Sequence, residues 1–142
     1  MISFQYLCRF LFLAVAALAL GGCSSSDSGR SRVQGAVSYG GEAVDDGGIG
    51  FIPEDGGASQ VRATGEIRDG SYDLGTSRGP YPGKYRVEIF WYKKTGRQIA
   101  SPSGKAFKDE TKQVIPAKYN NKTELKVDVK PGSNTFDFDL KS

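Results

Sequence analysis

Histidine is absent from this chain of 142 residues, and cysteine occurs only twice. Without histidine there is no imidazole for a Ser-His pair, no histidine ligand for a metal ion, and no side chain that ordinarily titrates near neutral pH. Excess charge is lacking as well, since 19 basic and 16 acidic residues leave a net charge of +3. That balance does not favour a nucleic acid partner. We therefore expect no enzymatic activity, no cofactor and no metal site.

Long apolar runs are also scarce, and the one present lies near the N-terminus. Arg9 is the only charged side chain before position 27, and residues 10–20 form an apolar run followed by Gly21 and Gly22. The run is shorter than the roughly 20 residues that a transmembrane helix needs. A basic residue, an apolar stretch and small side chains in this order predict a cleaved signal peptide over residues 1–22.

The order Leu20-Gly21-Gly22-Cys23 resembles the lipobox of bacterial lipoproteins. The resemblance implies that the Cys23 sulfur receives a diacylglycerol, that the signal peptide is cut just before Cys23, and that the new amino group is acylated. The alternative is an ordinary secretory signal with an incidental cysteine. Because Cys8 would be removed, a lipidated Cys23 would leave no thiol for disulfides, thiolate catalysis or metal binding.

A lipidated cysteine predicts where the protein is found. Each buried CH₂ group contributes about 0.8 kcal/mol, and two or more acyl chains give stable attachment. The expected partner is thus a membrane, and the expected location is the bacterial cell envelope, facing outside the cytoplasm. Ser24 stands where some lipoproteins carry an inner-membrane retention Asp, which favours the outer membrane. Residues 23–32 are small and polar, and they predict a flexible serine-rich tether.

Residues 33–142 show apolar residues with a period of two, and no segment has the apolar stripe of a helix. Gly and Pro turns separate the segments, and Asp69-Gly70 predicts a tight hairpin. This pattern predicts a single all-β domain, an antiparallel β-sandwich of about seven strands. The predicted strands cover residues 33–39, 49–53, 63–67, 71–74, 84–92, 125–129 and 136–140.

Four motifs follow one another along this domain: Val33-Gly35-Val37, Ile49-Phe51-Pro53, Asp69-Gly70-Tyr72 and Pro82-Gly83-Tyr85-Val87-Ile89. Together they resemble the carboxypeptidase regulatory-like domains, which have a transthyretin-like (prealbumin-like) Greek-key sandwich. One transthyretin-like branch hydrolyses 5-hydroxyisourate with histidines, an arginine and a C-terminal Tyr-Arg-Gly-Ser. The present chain has no histidine and ends Asp139-Leu140-Lys141-Ser142, so the resemblance implies the fold and not that activity.

The aromatic stretch before Lys93 is the main candidate for a ligand or partner surface. If Tyr85, Val87, Ile89 and Trp91 face the core, Phe90 and Tyr92 point outward. Such rings are either covered by the long connection at residues 95–113 or bind a partner. We therefore expect a structural or protein-interaction module. A glycan-binding module that uses Trp91, Tyr92 or Tyr81 is the alternative, and a hydrolase is a disfavoured third.

Charge is unevenly distributed along the chain. Residues 42–75 carry eight acidic and two basic side chains, whereas residues 93–122 carry eight basic and two acidic ones. The basic segment either meets anionic lipids or polyanions, or it neutralises the acidic segment within the fold. Among the carboxylates, Asp137 and Asp139 are expected to face Lys126 and Lys130 across a Pro131-Gly132 hairpin. Calcium bound in the acidic loops is a lesser alternative.

The lipobox yields the first testable prediction. Cys23→Ala removes the only sulfur that can receive diacylglycerol, so it should abolish labelling of the protein by radioactive palmitate. Cys8→Ala is the matched control and should leave the labelling unchanged, because Cys8 lies in the segment that is cut away. Labelling that persists in Cys23→Ala would refute the assignment.

Overall fold

The structure, a computed structural model, describes residues 29–54, 61–104 and 106–142. The predicted signal peptide, Cys23 and most of the tether lie outside the described residues. The described part contains a 3-10 helix (Ala117–Tyr119) and no helix long and apolar enough to cross a membrane. Its ten strands are β1 (Arg32–Tyr39), β2 (Glu42–Ala43), β3 (Gly47–Pro53), β4 (Ala63–Ile67), β5 (Ser71–Leu74), β6 (Gly83–Ala100), β7 (Phe107–Gln113), β8 (Lys126–Val129), β9 (Ser133–Thr135) and β10 (Phe138–Leu140).

The strands form two sheets, which confirms the predicted all-β sandwich. In the first sheet β1 is central and pairs with β2, β5, β9 and β10. In the second, β6 pairs with β3, β7 and β8, and β4 pairs with the far side of β3. Alternate side chains of both sheets form one core, as the period of two predicts. The core includes the predicted inward residues Val33, Val37, Tyr85, Val87, Ile89 and Trp91.

The Asp69-Gly70 turn connects the two sheets. Both residues have positive φ, +48° and +73°, and Arg68 and Ser71 exchange two backbone hydrogen bonds of 2.9 Å. This is the tight turn that the sequence predicts. The hairpin goes no further than this one bridge, because β4 pairs with β3 whereas β5 pairs with β1. The turn therefore makes a corner of the sandwich.

The predicted Pro131-Gly132 hairpin is wrong. β8 pairs with β6 in the second sheet, whereas β9 and β10 pair with β1 in the first. The Asn134 side chain explains how the chain crosses over: its Oδ1 accepts the Lys130 N–H at 2.9 Å, and its Nδ2 donates to the Lys130 carbonyl at 2.8 Å. These bonds close the turn without a strand partner, so the chain is free to enter the other sheet.

The ion pairs expected across that hairpin are consequently absent. Lys126 instead pairs with Glu54 at 2.7 Å, and Lys130 pairs with Asp128 on its own segment. Asp139 contacts Lys141 and Ser38. Asp137 has a different task, because its Oδ1 accepts the backbone N–H of Ala36 at 2.7 Å.

β1 runs parallel to both β9 and β10, whereas the sequence predicts antiparallel pairing throughout. Between the two strands, the Phe136 carbonyl lies against Gly35, where an added Cβ would be 2.0 Å from the oxygen. Only glycine allows so close a backbone approach. The Asp137 carboxylate then bonds the Ala36 N–H in place of a backbone carbonyl. Gly35 thus lets one C-terminal segment follow β1 along most of its length.

Tyr72 completes this junction from inside the core. Its hydroxyl donates to the Phe136 carbonyl at 2.8 Å, and its ring packs against Phe51 and Phe138. Burial raises the pKa of the Tyr72 hydroxyl, and the nearby Asp137 carboxylate raises it further. The neutral phenol is therefore the form that the fold requires, because a phenolate could not donate this bond.

The contact at Gly35 predicts a strong effect of a single methyl group. Gly35→Ala should lower the free energy of unfolding by about 3 kcal/mol, because the new Cβ would overlap a backbone carbonyl that cannot move independently. Gly48→Ala in β3 is the matched control, since an added Cβ there meets nothing within 4 Å. It should change stability by less than about 1 kcal/mol. Equal effects of both substitutions in urea unfolding would contradict the proposed role of Gly35.

The raised pKa of Tyr72 predicts that the protein loses stability at alkaline pH. Its folded-state pKa lies above the ordinary value of about 10, so its contribution is complete below pH 10 and declines as the pH rises further. At pH 8, Tyr72→Phe should cost about 1–2 kcal/mol, because it leaves the Phe136 carbonyl unpaired. By pH 11 the gap to the wild-type protein should narrow by on the order of 1 kcal/mol. Urea unfolding at both pH values measures this, and a constant gap would contradict it.

Candidate functional site

The most distinctive feature of the surface is a two-stranded extension of the second sheet. β3 pairs with β6 only as far as Trp91, and β8 pairs with the first four residues of β6. From Tyr92 to Ala100, the described partner of β6 is β7 alone. We call residues 92–100 and 107–113 the arm. The sequence predicts that this strand ends at Tyr92, and it misses the arm. A Ser101-Pro102-Ser103-Gly104 turn midway between residues 93 and 113 was the available indication of a hairpin.

The base of the arm holds Trp91, which is only 4% exposed. The Lys93 Nζ lies 4.0 Å from the centroid of the Trp91 ring and 2.7 Å from Glu42 Oε1 on β2. From β7, Gln113 Oε1 accepts the backbone N–H of Trp91 at 2.9 Å. The Gln113 Nε2 is buried and has no hydrogen-bond partner among the described residues. These contacts fix the base of the arm to both sheets.

The other predicted surface aromatics are not brought together. Tyr92 is 53% exposed on the outer face of β6, and Phe90 on the same face is half-buried. Tyr81 is half-buried at the opposite end of β6, with the Arg30 guanidinium 4.7 Å from its ring centroid. About eight residues of strand, roughly 25 Å, separate it from Phe90. Residues 95–113, which could have covered Phe90 and Tyr92, mostly form the arm.

The chain enters the sandwich beside Tyr81. The Ser31 N–H donates to the Pro80 carbonyl at 2.7 Å, and Arg30 Nη1 donates to the Gly79 carbonyl at 2.8 Å. The Ser31 hydroxyl donates to the Lys130 carbonyl at 2.8 Å. These bonds hold the entering chain next to the start of β6, whereas the arm ends where β6 ends. With about 3.3 Å per residue, the 18 residues of β6 place the two points up to about 60 Å apart.

The charges of the arm are only partly paired. Lys94 forms an ion pair with Asp109 at 2.6 Å, and Arg97 forms one with Glu110 at 2.9 Å. Both acidic residues of the arm are therefore paired. Hydrogen bonds from Lys94 lower the pKa of Asp109, and hydrogen bonds from Thr95 and Arg97 lower that of Glu110. Lys108 and Lys112 have no ion-pair partner in the described part of the chain. The arm therefore keeps an excess of positive charge.

The acidic and basic segments meet at one ion pair among the described residues, Lys93 with Glu42. Other acidic side chains of residues 42–75 bond bases elsewhere: Asp73 bonds Arg32, Glu54 bonds Lys126 and Glu66 bonds Arg68. Mutual neutralisation of the two segments is thus local to the base of the arm, and it does not cancel the charge farther out.

The carboxylates favour ion pairing over acid catalysis. Every described carboxyl group with a clearly shifted pKa is shifted downward, chiefly by a side-chain hydrogen bond: Glu66, Asp73, Asp109, Glu110 and Asp139. In the acidic loops, Asp45 Oδ1 accepts the Asp69 N–H at 3.3 Å. Across residues 29–54, 61–104 and 106–142, no three acidic or cysteine side chains lie close enough to hold a metal ion.

Residues 115–120, an Ile-Pro-Ala-Lys-Tyr-Asn segment whose role the sequence does not reveal, are structural. Asn120 is buried, and its Nδ2 donates to the carbonyls of Ile115 and Pro116 at 3.0 and 3.2 Å. Tyr119 accepts the backbone N–H of Lys141 through its hydroxyl at 3.1 Å. The segment therefore packs the connection from β7 to β8 against the C-terminus.

Comparison of the chain with family models, with curated proteins and with solved structures found no match. The functional assignment therefore depends on the residues and the geometry described above.

Proposed function

We propose that the protein is a lipid-anchored, non-catalytic structural or protein-interaction module of the bacterial cell envelope. In this proposal acylated Cys23 holds the domain on a membrane outside the cytoplasm, with the outer membrane favoured. The observation that carries the proposal is the arrangement of the two ends of the domain. The chain enters beside Pro80 at one end, and the arm extends from the other. An anchor at the first end would leave the arm free to meet a partner.

A non-catalytic role is supported by the chemistry of the side chains. The chain has no histidine, and its clearly shifted carboxyl groups have lowered pKa values, which keeps them ionised. A carboxylic acid that donates protons near neutral pH needs a raised pKa. Glu66 instead forms a surface ion pair with Arg68, and Asp73 forms one with Arg32.

The sandwich also supports, as part of the proposal, the likeness to carboxypeptidase regulatory-like domains. All four motifs fall where that likeness needs strands or turns, with Val33, Phe51, Tyr72 and Val87 in the core. These motifs specify strands and turns and no reaction centre.

Glycan binding is the second candidate, and one observation favours it. Tyr92 presents an exposed ring on the outer face of β6, with Phe90 two residues before it on the same face. Trp91, the largest aromatic side chain, lies on the opposite face beneath Lys93 and offers no open ring face. A sugar platform would therefore consist of Tyr92 and part of Phe90, whereas a protein contact could also include the rest of the arm.

Site-specific cross-linking in native membranes tests the leading proposal. A photoreactive residue at Tyr92 should yield a discrete cross-linked protein, and the same residue at exposed Thr64 on β4 is the matched control. Cys23→Ala should reduce the product at position 92 because it releases the domain from the membrane. Recovery of no specific partner from position 92 would contradict the proposal. Binding of envelope polysaccharides by the wild-type protein that Tyr92→Ala abolishes would favour the glycan alternative instead.

A further inference from the structure

The outer end of the arm exposes apolar side chains on both of its faces. Phe107 is 74% exposed and Ile99 is 40% exposed. In the β6–β7 register Phe107 lies opposite Ala100, and Ile99 lies opposite Lys108. Directly opposite residues share a face and successive residues alternate, so the Phe107 and Ile99 side chains project in opposite directions. We call these residues, Ile99–Ala100 with Phe107–Lys108, the tip; the turn that begins at Ser101 closes the hairpin just beyond them.

Basic side chains follow one another from the tip toward the base of the arm. The arm carries five basic and two acidic residues, and both acidic residues are engaged by Lys94 and Arg97. Lys108 stands next to Phe107 in sequence, and Lys112, on the same face of β7 as Lys108, lies four residues nearer the base of the arm, opposite Lys93. Neither lysine has an ion-pair partner in the described ranges. We call Lys108 and Lys112 the collar. An apolar tip with these bases behind it is complementary to a surface that is apolar inside and anionic outside.

Strand addition to the arm is disfavoured by its own structure. The register shifts between Lys94 and Gln98, and Gly96 within this bulge has a φ of +82°. Bulges and lysines on edge strands prevent another strand from pairing there. The arm therefore makes contact through its side chains and not through its backbone.

We propose that the tip of the arm inserts into the interface of an anionic lipid bilayer. The surface of a folded protein could cover Phe107 or Ile99. Because the two side chains project from opposite faces of a narrow two-stranded ribbon, covering both requires a medium that encloses the ribbon. A bilayer interface supplies them, because headgroups and upper acyl chains close around the inserted element. Lys108 then lies among the anionic headgroups and Lys112 farther out toward the base of the arm, and each basic residue near the membrane surface strengthens binding.

This contact does not depend on the lipid anchor, since the tip is up to about 60 Å from the point where the chain enters the domain. With an anchor on Cys23, the tip reaches either the anchoring membrane, when the domain lies flat, or a second bilayer, when the domain stands upright. Without an anchor, the tip would still bind vesicles. Failure of the insertion experiment below and failure of palmitate labelling are therefore separate results.

Tryptophan fluorescence tests the insertion in the protein as cells make it. The wild-type protein has one tryptophan, buried Trp91, which sets the background. Phe107→Trp and Ile99→Trp each add a reporter on one face of the tip. Brominated acyl chains, which quench only inserted indoles, are placed in the anchoring vesicles or in added vesicles. Both added tryptophans should be quenched in vesicles of equal parts phosphatidylglycerol and phosphatidylcholine, in at least one arrangement, and much less in phosphatidylcholine alone.

Matched charge variants separate attraction by the collar from general positive charge. Lys108→Gln with Lys112→Gln should raise the concentration of anionic lipid needed for half-maximal quenching by about fivefold per lysine. Lys84→Gln with Lys122→Gln, two exposed bases outside the arm, should leave it unchanged. Phe107→Ser should reduce quenching of the tryptophan at position 99 by about tenfold at limiting lipid. Quenching of neither reporter, of only one, or of both equally in uncharged vesicles would overturn the proposal.

Discussion

The fold depends on a contact between two backbones, the Phe136 carbonyl against Gly35. Because Gly35 has no side chain, the C-terminal segment can lie alongside β1 in parallel and pair with it on both sides of the contact. The Tyr72 hydroxyl donates a hydrogen bond to the Phe136 carbonyl, and the Asp137 carboxylate accepts one from the Ala36 N–H. Side chains thus provide hydrogen-bond partners for the backbone groups at this close approach. The residues joined in this way are about 100 positions apart in the sequence. β1 therefore cannot complete its pairing until nearly the whole chain is present, and such long-range closure slows folding.

Alternating hydrophobicity was sufficient to predict most strands, because burying one face of a strand dictates the period of two. The pairing of those strands was not predictable to the same degree. Pro131-Gly132 is compatible with a hairpin or with a crossover, and the outcome depends on the Asn134 side chain, which closes the turn by itself. Asp69-Gly70 shows the same ambiguity: the turn was predicted, but β4 and β5 separate into different sheets, where β4 pairs with β3 and β5 pairs with β1.

The candidate site was predicted in part and for a physical reason. The alternation over residues 85–91 correctly placed Trp91 inside. The hypothesis that the Trp91 ring is exposed to bind a glycan was therefore already in conflict with the strand pattern. The arm escaped prediction because charged residues such as Lys93, Lys94 and Arg97 conceal the period of two, and because no buried face imposes one. A ribbon outside the core has few apolar positions for sequence analysis to detect. The alternation of apolar residues therefore predicts the exposed arm less well than it predicts the buried strands.

The bonds of Ser31 to Pro80 and Lys130 have a mechanical consequence. They lie where the chain enters, beside the first pairs of β1 with β5 and β9. A force applied through the preceding residues and resisted at the arm would run along β1 and β6, roughly across their hydrogen bonds. Bonds in that orientation share the load and break together, whereas bonds pulled from a strand end open one after another. β1 would therefore resist tension along its own direction better than a strand that opens from one end.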